Sequence, residues 1–203
     1  MNAPTDLNIK INSIIELYSS GHSSEAQDAV QALIGQHPNE ALLYNISGVF
    51  YKAAGQLELA VKSFESAVVI QPDFADAHYN LGLTLQELNQ LKAAINSYQV
   101  TLDLQKSYFK AHNNLGIIYK ELGQIEDAVK SYEEAINLQP GYAEAHNNLG
   151  TTLHELGQLD EATKCYEKAL VIQPDYVEVH NNLGNTLNLL GQTDEALNSY
   201  QQA

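Results

Sequence analysis

The string AHNNLG occupies residues 111–116 and recurs at 145–150, with VHNNLG at 179–184 and AHYNLG at 77–82. Each copy starts 34 residues after the one before it (77, 111, 145, 179). A fixed period in this range marks an architecture of stacked repeats, each too small to bury its own apolar face. At the same period Pro38, Pro72, Pro140 and Pro174 fall into register, as do Gly48, Gly82, Gly116, Gly150 and Gly184. Within one unit Ala111, Leu115, Ile118, Tyr119 and Leu122 have helical spacing and end at Gly123. A second run, Ala128, Tyr132, Ala135 and Ile136, stops at Gln139-Pro140. Each unit is therefore predicted to be a helical hairpin, with glycine closing the first helix and proline discouraging continuation of the second. Gly116 and Ala128 are the small residues expected where the two helices approach closely, with Tyr119 and Tyr132 beside them.

Composition narrows the function. The 203 residues are 44% apolar, enough for a sizeable core, and 25 acidic residues against 10 basic ones give a net charge of -15. All the basic residues are lysines, so the guanidinium that grips phosphate with two parallel hydrogen bonds is absent. Nucleic acid and anionic membrane surfaces are excluded as partners on charge. The one cysteine, Cys165, permits no internal disulfide and is expected to be a plain packed thiol. The start, MNAPTDLNIK, lacks the basic-then-apolar layout of a signal peptide. The chain is expected to be soluble and cytoplasmic.

The spacing His112, Leu115-Gly116, Tyr119, Gly123, Ala128, Tyr132, Ala135, Pro140 resembles the signature of the tetratricopeptide repeat (TPR) family. The resemblance spans repeats 7–40, 41–74, 75–108, 109–142 and 143–176 and a partial repeat 177–203, read as one array over 1–203. It implies an all-α solenoid of antiparallel hairpins stacked into a right-handed superhelix with a concave groove. Repeat one departs at Ile14, where the close-approach glycine is expected, and suits an end unit. Repeat three carries Asn89 for the turn glycine, Thr101 for an alanine and Lys106 for the proline, so its junction with repeat four is expected to be looser. The array stops inside its sixth unit, which reads as a fragment of a longer protein whose apolar end, Leu187, Leu190 and Tyr200, invites association between copies.

In TPR proteins the first helix of each unit lines the groove. Carried onto this chain, that resemblance places Asn80, Asn114, Asn148 and Asn182 in one row, with Tyr79, Asn113, Asn147 and Asn181 beside it and Thr151 and Asn185 nearby. An amide offers donor and acceptor together and can satisfy the backbone of an extended peptide without reading its side chains. The row is similar to the one in the TPR arrays of O-linked N-acetylglucosamine transferase. Peptide contact and generic repeat chemistry both account for it at this stage. The other end of the groove is apolar, with Ile11, Ile15, Leu42, Ile46 and Val49. His78, His112, His146 and His180 form a further row, expected to pack rather than to bind metal, because equivalent atoms of successive hairpins stand roughly 10–20 Å apart.

No phosphate loop, zinc-ligand spacing or nucleophile elbow appears, so neither cofactor nor metal is expected and the segment does not read as an enzyme. The expected function is a scaffold that binds an extended, neutral or basic protein segment in its groove. Two alternatives stand beside it: the N-terminal substrate-recognition arm of a larger transferase, and a self-assembly module joined through repeat ends or groove.

Overall fold

The computed structural model describes residues 6–203; the first half of MNAPTDLNIK lies outside the described residues. All the described secondary structure is helical. The helices form six hairpins: α1 (Asp6–Ser19) with α2 (Ser23–Gln36), α3 (Ala41–Ala53) with α4 (Leu57–Ile70), and α5 (Ala75–Glu87) with α6 (Leu91–Leu104). These are followed by α7 (Phe109–Glu121) with α8 (Ile125–Leu138), α9 (Ala143–Glu155) with α10 (Leu159–Ile172), and α11 (Val177–Leu189) with α12 (Thr193–Gln202). The odd-numbered helices are the first, or A, helices of their repeats. The chain divides into two compact units, Met1–Gln105 and Lys106–Ala203, so the boundary falls where Lys106 replaces the repeated proline.

One local motif makes every A-to-B turn. Gly123 adopts φ +73, its N–H donates to the Lys120 carbonyl at 3.0 Å, and the Gln124 N–H reaches the Tyr119 carbonyl at 2.8 Å. This paired closure satisfies the carbonyls that the end of a helix leaves unpaired, and it needs a left-handed residue that glycine adopts without penalty. Repeat three keeps the motif with asparagine: Asn89 sits at φ 58 and donates to Gln86 while Gln90 donates to Leu85. The substitution read as a departure is conformationally silent there, because asparagine is the residue that next most readily takes this conformation.

Helix pairing rests on a ring lying across a glycine. A Cβ placed on Gly116 would stand 2.6 Å from the Tyr132 ring, and Gly82, Gly150 and Gly184 face Tyr98, Tyr166 and Tyr200 in the same way. In the second repeat Phe64 takes the place of the tyrosine, over Gly48. The glycine thus serves as a seat for an aromatic side chain of the B helix rather than as a backbone crossing point. In the first repeat the exchange is reversed, with buried Ile14 opposite fully buried Val30.

Each unit has its own core. In the first, Ile11, Ile14, Val30, Leu33, Leu43, Ile46 and Phe50 form one cluster, with Tyr18 stacked on Phe50 at 4.1 Å between ring centroids. In the second, Tyr166, Val179, Leu183 and Leu187 belong to one cluster and Ala128, Tyr132 and Leu149 to another. The half-buried Cys165 packs beside this second cluster, and burial pushes its thiol up from its ordinary pKa.

Candidate functional site

The asparagine rows behave as two different sets. In the second unit Asn113 and Asn147 are buried, and their amides are committed to the following repeat. Asn113 Nδ2 donates to Glu144 Oε1 at 3.1 Å, and Asn147 Nδ2 donates to Glu178 Oε1 at 3.2 Å. Their carbonyl oxygens are also engaged: Asn148 Nδ2 donates to Asn113 Oδ1 at 3.0 Å, and Asn182 Nδ2 to Asn147 Oδ1 at 3.1 Å. In the first unit Asn80 Nδ2 donates to Asn45 Oδ1 at 3.0 Å. The pairs therefore form a clasp between successive A helices, in which one asparagine is the receiver, buried in the second unit and half-buried at Asn45, and the other reaches back from the next repeat.

This separates the residues expected to contact a ligand. Asn113 and Asn147 do not line an open surface, because both ends of their amides are spent inside the stack. Asn80, Asn148 and Asn182 are half-buried, and each uses one N–H in the clasp, leaving its oxygen and second N–H without a partner among the described residues. Asn114 is buried. Asn181 and Asn185 are exposed: Asn181 turns its amide back to the Val177 carbonyl at 3.2 Å, and Asn185 Oδ1 accepts from the Tyr200 hydroxyl at 2.9 Å. Thr151 is half-buried and donates to the Asn147 carbonyl at 3.0 Å.

His154 joins this face through a proton count. The single Thr186 hydroxyl proton goes to the Asn182 carbonyl at 2.8 Å, so Thr186 Oγ1 accepts at 2.8 Å from Nδ1–H of His154. The His154 tautomer is thereby set, with Nε2 left as an acceptor when the ring is neutral. Two lysine–glutamate pairs cross between neighbouring A helices at the matching position, Lys52 with Glu87 and Lys120 with Glu155, the latter at 2.7 Å.

The apolar end of the first unit also divides. Ile11 and Ile46 are core residues of that unit and do not offer a surface, whereas Ile15, Leu42 and Val49 are exposed. The expectation that all five line a groove fails for the two that pack between α1, α2 and α3.

The histidine row has a structural task. Nε2–H of His78, His146 and His180 donates to the carbonyls of Pro72, Pro140 and Pro174 at 3.0, 3.1 and 2.8 Å, tying each A helix to the loop that precedes it. His112 makes the same bond to the Lys106 backbone, so the tie survives the loss of proline. Burial lowers the pKa of His112 and of His146, outweighing the carbonyl that favours the cation. Among the described residues no cluster of His, Cys, Asp or Glu could hold a metal ion, and no helix is long and apolar enough to cross a membrane.

Sequence comparison fits this architecture. TPR repeat models match residues 48–89, 84–123 and 118–157, and a tetratricopeptide repeat model matches 141–203. The chain belongs to the tetratricopeptide repeat family. A search of curated protein sequences finds no significant match. Among solved structures, MamA is 27% identical with a TM-score of 0.73, over 80% of this chain and 95% of that one. PilW, a widely conserved type IV pilus biogenesis factor, is 22% identical with a TM-score of 0.86, over 98% and 93%. YrrB, a TPR protein with an unusual peptide-binding site, is 21% identical with a TM-score of 0.70, over 87% and 91%. The all-α TPR solenoid is thus common to this chain and these proteins, and protein interaction is the function such scaffolds serve.

Proposed function

We propose that the A-helix face of the second unit holds an extended, neutral or basic polypeptide segment by its backbone. Asn148 and Asn182 are the central contacts, and Thr151, His154 and Asn185 flank them. The observation that carries this reading is the unspent half of each reaching asparagine: one N–H is pinned at 3.0–3.1 Å, and an acceptor and a second donor remain. Because the pinned bond fixes the rotamer, a ligand amide meets an acceptor and a donor already aimed, and little side-chain entropy is lost on binding. Neighbouring carboxylates, Glu144, Glu155 and Glu178, favour a segment without acidic side chains. The likeness to YrrB supports the fold of this reading, while the amide arrangement supports its chemistry.

Asparagines of this kind serve both the clasp and the ligand, so the test breaks one hydrogen bond from its two ends. Asn182→Ala removes the reaching amide, and Asn147→Ala removes the buried oxygen it reaches while leaving Asn182 on the face. Both are expected to lower stability, by about 1–2 kcal/mol. Binding to immobilised extended peptides free of acidic residues is expected to fall about tenfold, near 1.4 kcal/mol, for Asn148→Ala combined with Asn182→Ala, and to change less than threefold for Asn113→Ala combined with Asn147→Ala, which opens the same two bonds from their other ends. Equal losses in the two variants would show that the asparagines act only as the clasp.

A further inference from the structure

Hydrogen bonding inside the second unit leaves two side chains of α9 that can accept a proton but have none to give. The hydroxyl proton of Thr151 goes to the Asn147 carbonyl at 3.0 Å, and its oxygen accepts from the Tyr166 hydroxyl at 3.3 Å. One lone pair remains on Thr151 Oγ1. His154 reaches the same state by another route. Its Nδ1–H is spent on Thr186 Oγ1, whose own proton is held by the Asn182 carbonyl, so the neutral ring keeps a lone pair on Nε2. The partners that impose both states are core residues, Tyr166 at 1% exposure and Thr186 at 0%.

Thr151 and His154 stand three residues apart on one helix, which makes their side chains neighbours with Cβ atoms about 5–6 Å apart. Both are half-buried. On the other A helices the same two positions hold Ile15 and Tyr18, Val49 and Lys52, Leu83 and Gln86, Ile117 and Lys120, and Asn185 and Asn188. Aliphatic, cationic or two-way amide groups stand there, and α9 alone pairs two acceptors. The charge of Lys120, at the His154 position of α7, is answered by Glu155 at 2.7 Å.

We infer that Thr151 and His154 select a lysine side chain in the captured segment, its ammonium donating to Thr151 Oγ1 and His154 Nε2. This rests on the backbone reading proposed above and adds the side chain to it. An ammonium carries three donors and no acceptor, whereas a hydroxyl or amide brings an oxygen for which the pair has no donor. The net charge of -15 favours the cation over a neutral donor. Ile117, half-buried at the Thr151 position of α7, gives the aliphatic stem an apolar neighbour.

The test uses immobilised extended peptides free of acidic residues, each made with either lysine or norleucine at one central position. Binding is measured at about pH 8, above the range in which histidine usually changes charge, and in about 0.5 M salt, where long-range attraction is screened. The wild type is expected to prefer lysine about tenfold, as suits a hydrogen bond from a charged donor. That ratio is expected to fall to within about twofold when Thr151→Val is combined with His154→Leu, a change that leaves every carboxylate in place. Should circular dichroism show lost helix, Thr151→Val alone, which keeps the side-chain shape, is expected to lower the ratio to about threefold. A preference that survives intact in these variants overturns the inference and assigns it to the carboxylates. Norleucine peptides that bind a wild type indifferent to lysine overturn it too, and leave the backbone reading standing. If no peptide of either kind binds, both fall.

Discussion

Gly116 lacks a side chain because the Tyr132 ring lies where a Cβ would be, 2.6 Å away. A bulky residue there must push the ring out of a fully packed core, and Gly116→Ile is expected to cost about 1–3 kcal/mol or more in chemical denaturation. The first repeat shows the alternative solution, Ile14 against Val30. Combining Gly116→Ile with Tyr132→Val is therefore expected to recover part of the loss; a double variant no better than the single one would show that the helix spacing, and not the ring, sets the limit. A second residue-scale expectation concerns His146. Burial lowers its folded-state pKa below the unfolded value of about 6.5, so the unfolded chain takes up the proton more readily. The stability of the neutral form is intact above about pH 6.5 and is lost as pH falls toward the folded pKa. Between about pH 7.5 and about pH 5 the wild type is expected to lose more in Tm than His146→Gln, whose amide can still donate to the Pro140 carbonyl but does not titrate.

Helix ends and turns were legible in the sequence because their causes are local. Glycine after Leu122, proline after Gln139 and the helical spacing between them act within one hairpin, and the A helices begin at residues 41, 75, 109, 143 and 177. The division of labour between the two asparagines was not legible, since it depends on which carboxylate the next repeat brings up, Glu144 for Asn113 and Glu178 for Asn147. The same distance effect hid the burial of Ile11 and Ile46, which is decided by α2. The clasp also accounts for asparagines in helix interiors: each is about 0.6 kcal/mol worse than alanine, a deficit that one cross-repeat hydrogen bond of about 1 kcal/mol offsets. The junction after α6 offers a test at this scale. Gln105 lies at φ -141, ψ 90, close to the -131, 89 of Gln71, the -137, 84 of Gln139 and the -132, 89 of Gln173, each of which precedes a proline. The backbone before Lys106 is thus already suited to proline. Lys106→Pro is expected to stabilise the fold by about 0.4–1 kcal/mol through the unfolded chain, visible in the urea midpoint. Hydrogen-exchange protection across residues 100–110 is expected to be weaker than at the other junctions and to rise in the same variant.

At the scale of the whole molecule, charge acts against folding and, in the function proposed above, in favour of one class of ligand. The net charge of -15 is offset locally by the ion pairs of Lys10 with Asp6, Lys52 with Glu87 and Lys120 with Glu155, whose side chains all remain partly exposed to solvent. Exposed pairs of this kind contribute little, about 0–1 kcal/mol each, so the dominant electrostatic term is repulsion among the remaining carboxylates. Raising salt from about 0.05 M to about 0.5 M shortens the screening length from above 10 Å to a few ångströms and relieves that repulsion. Tm is expected to rise by a few degrees, in contrast to a protein held together by ion pairs, whose Tm would fall. The proposed capture of a lysine- or arginine-bearing peptide would be attraction across the same field, and its affinity is expected to fall over the same salt range, mainly through a slower association rate. A neutral peptide of equal length shares the backbone contacts but not the attraction, and its affinity is expected to stay within about twofold. Opposite slopes for stability and for basic-peptide binding, with a flat line for the neutral peptide, would place the charge in steering and the amides in recognition. Parallel slopes for both peptides would instead show that the charge of the peptide contributes nothing to capture and that the carboxylates do not steer it.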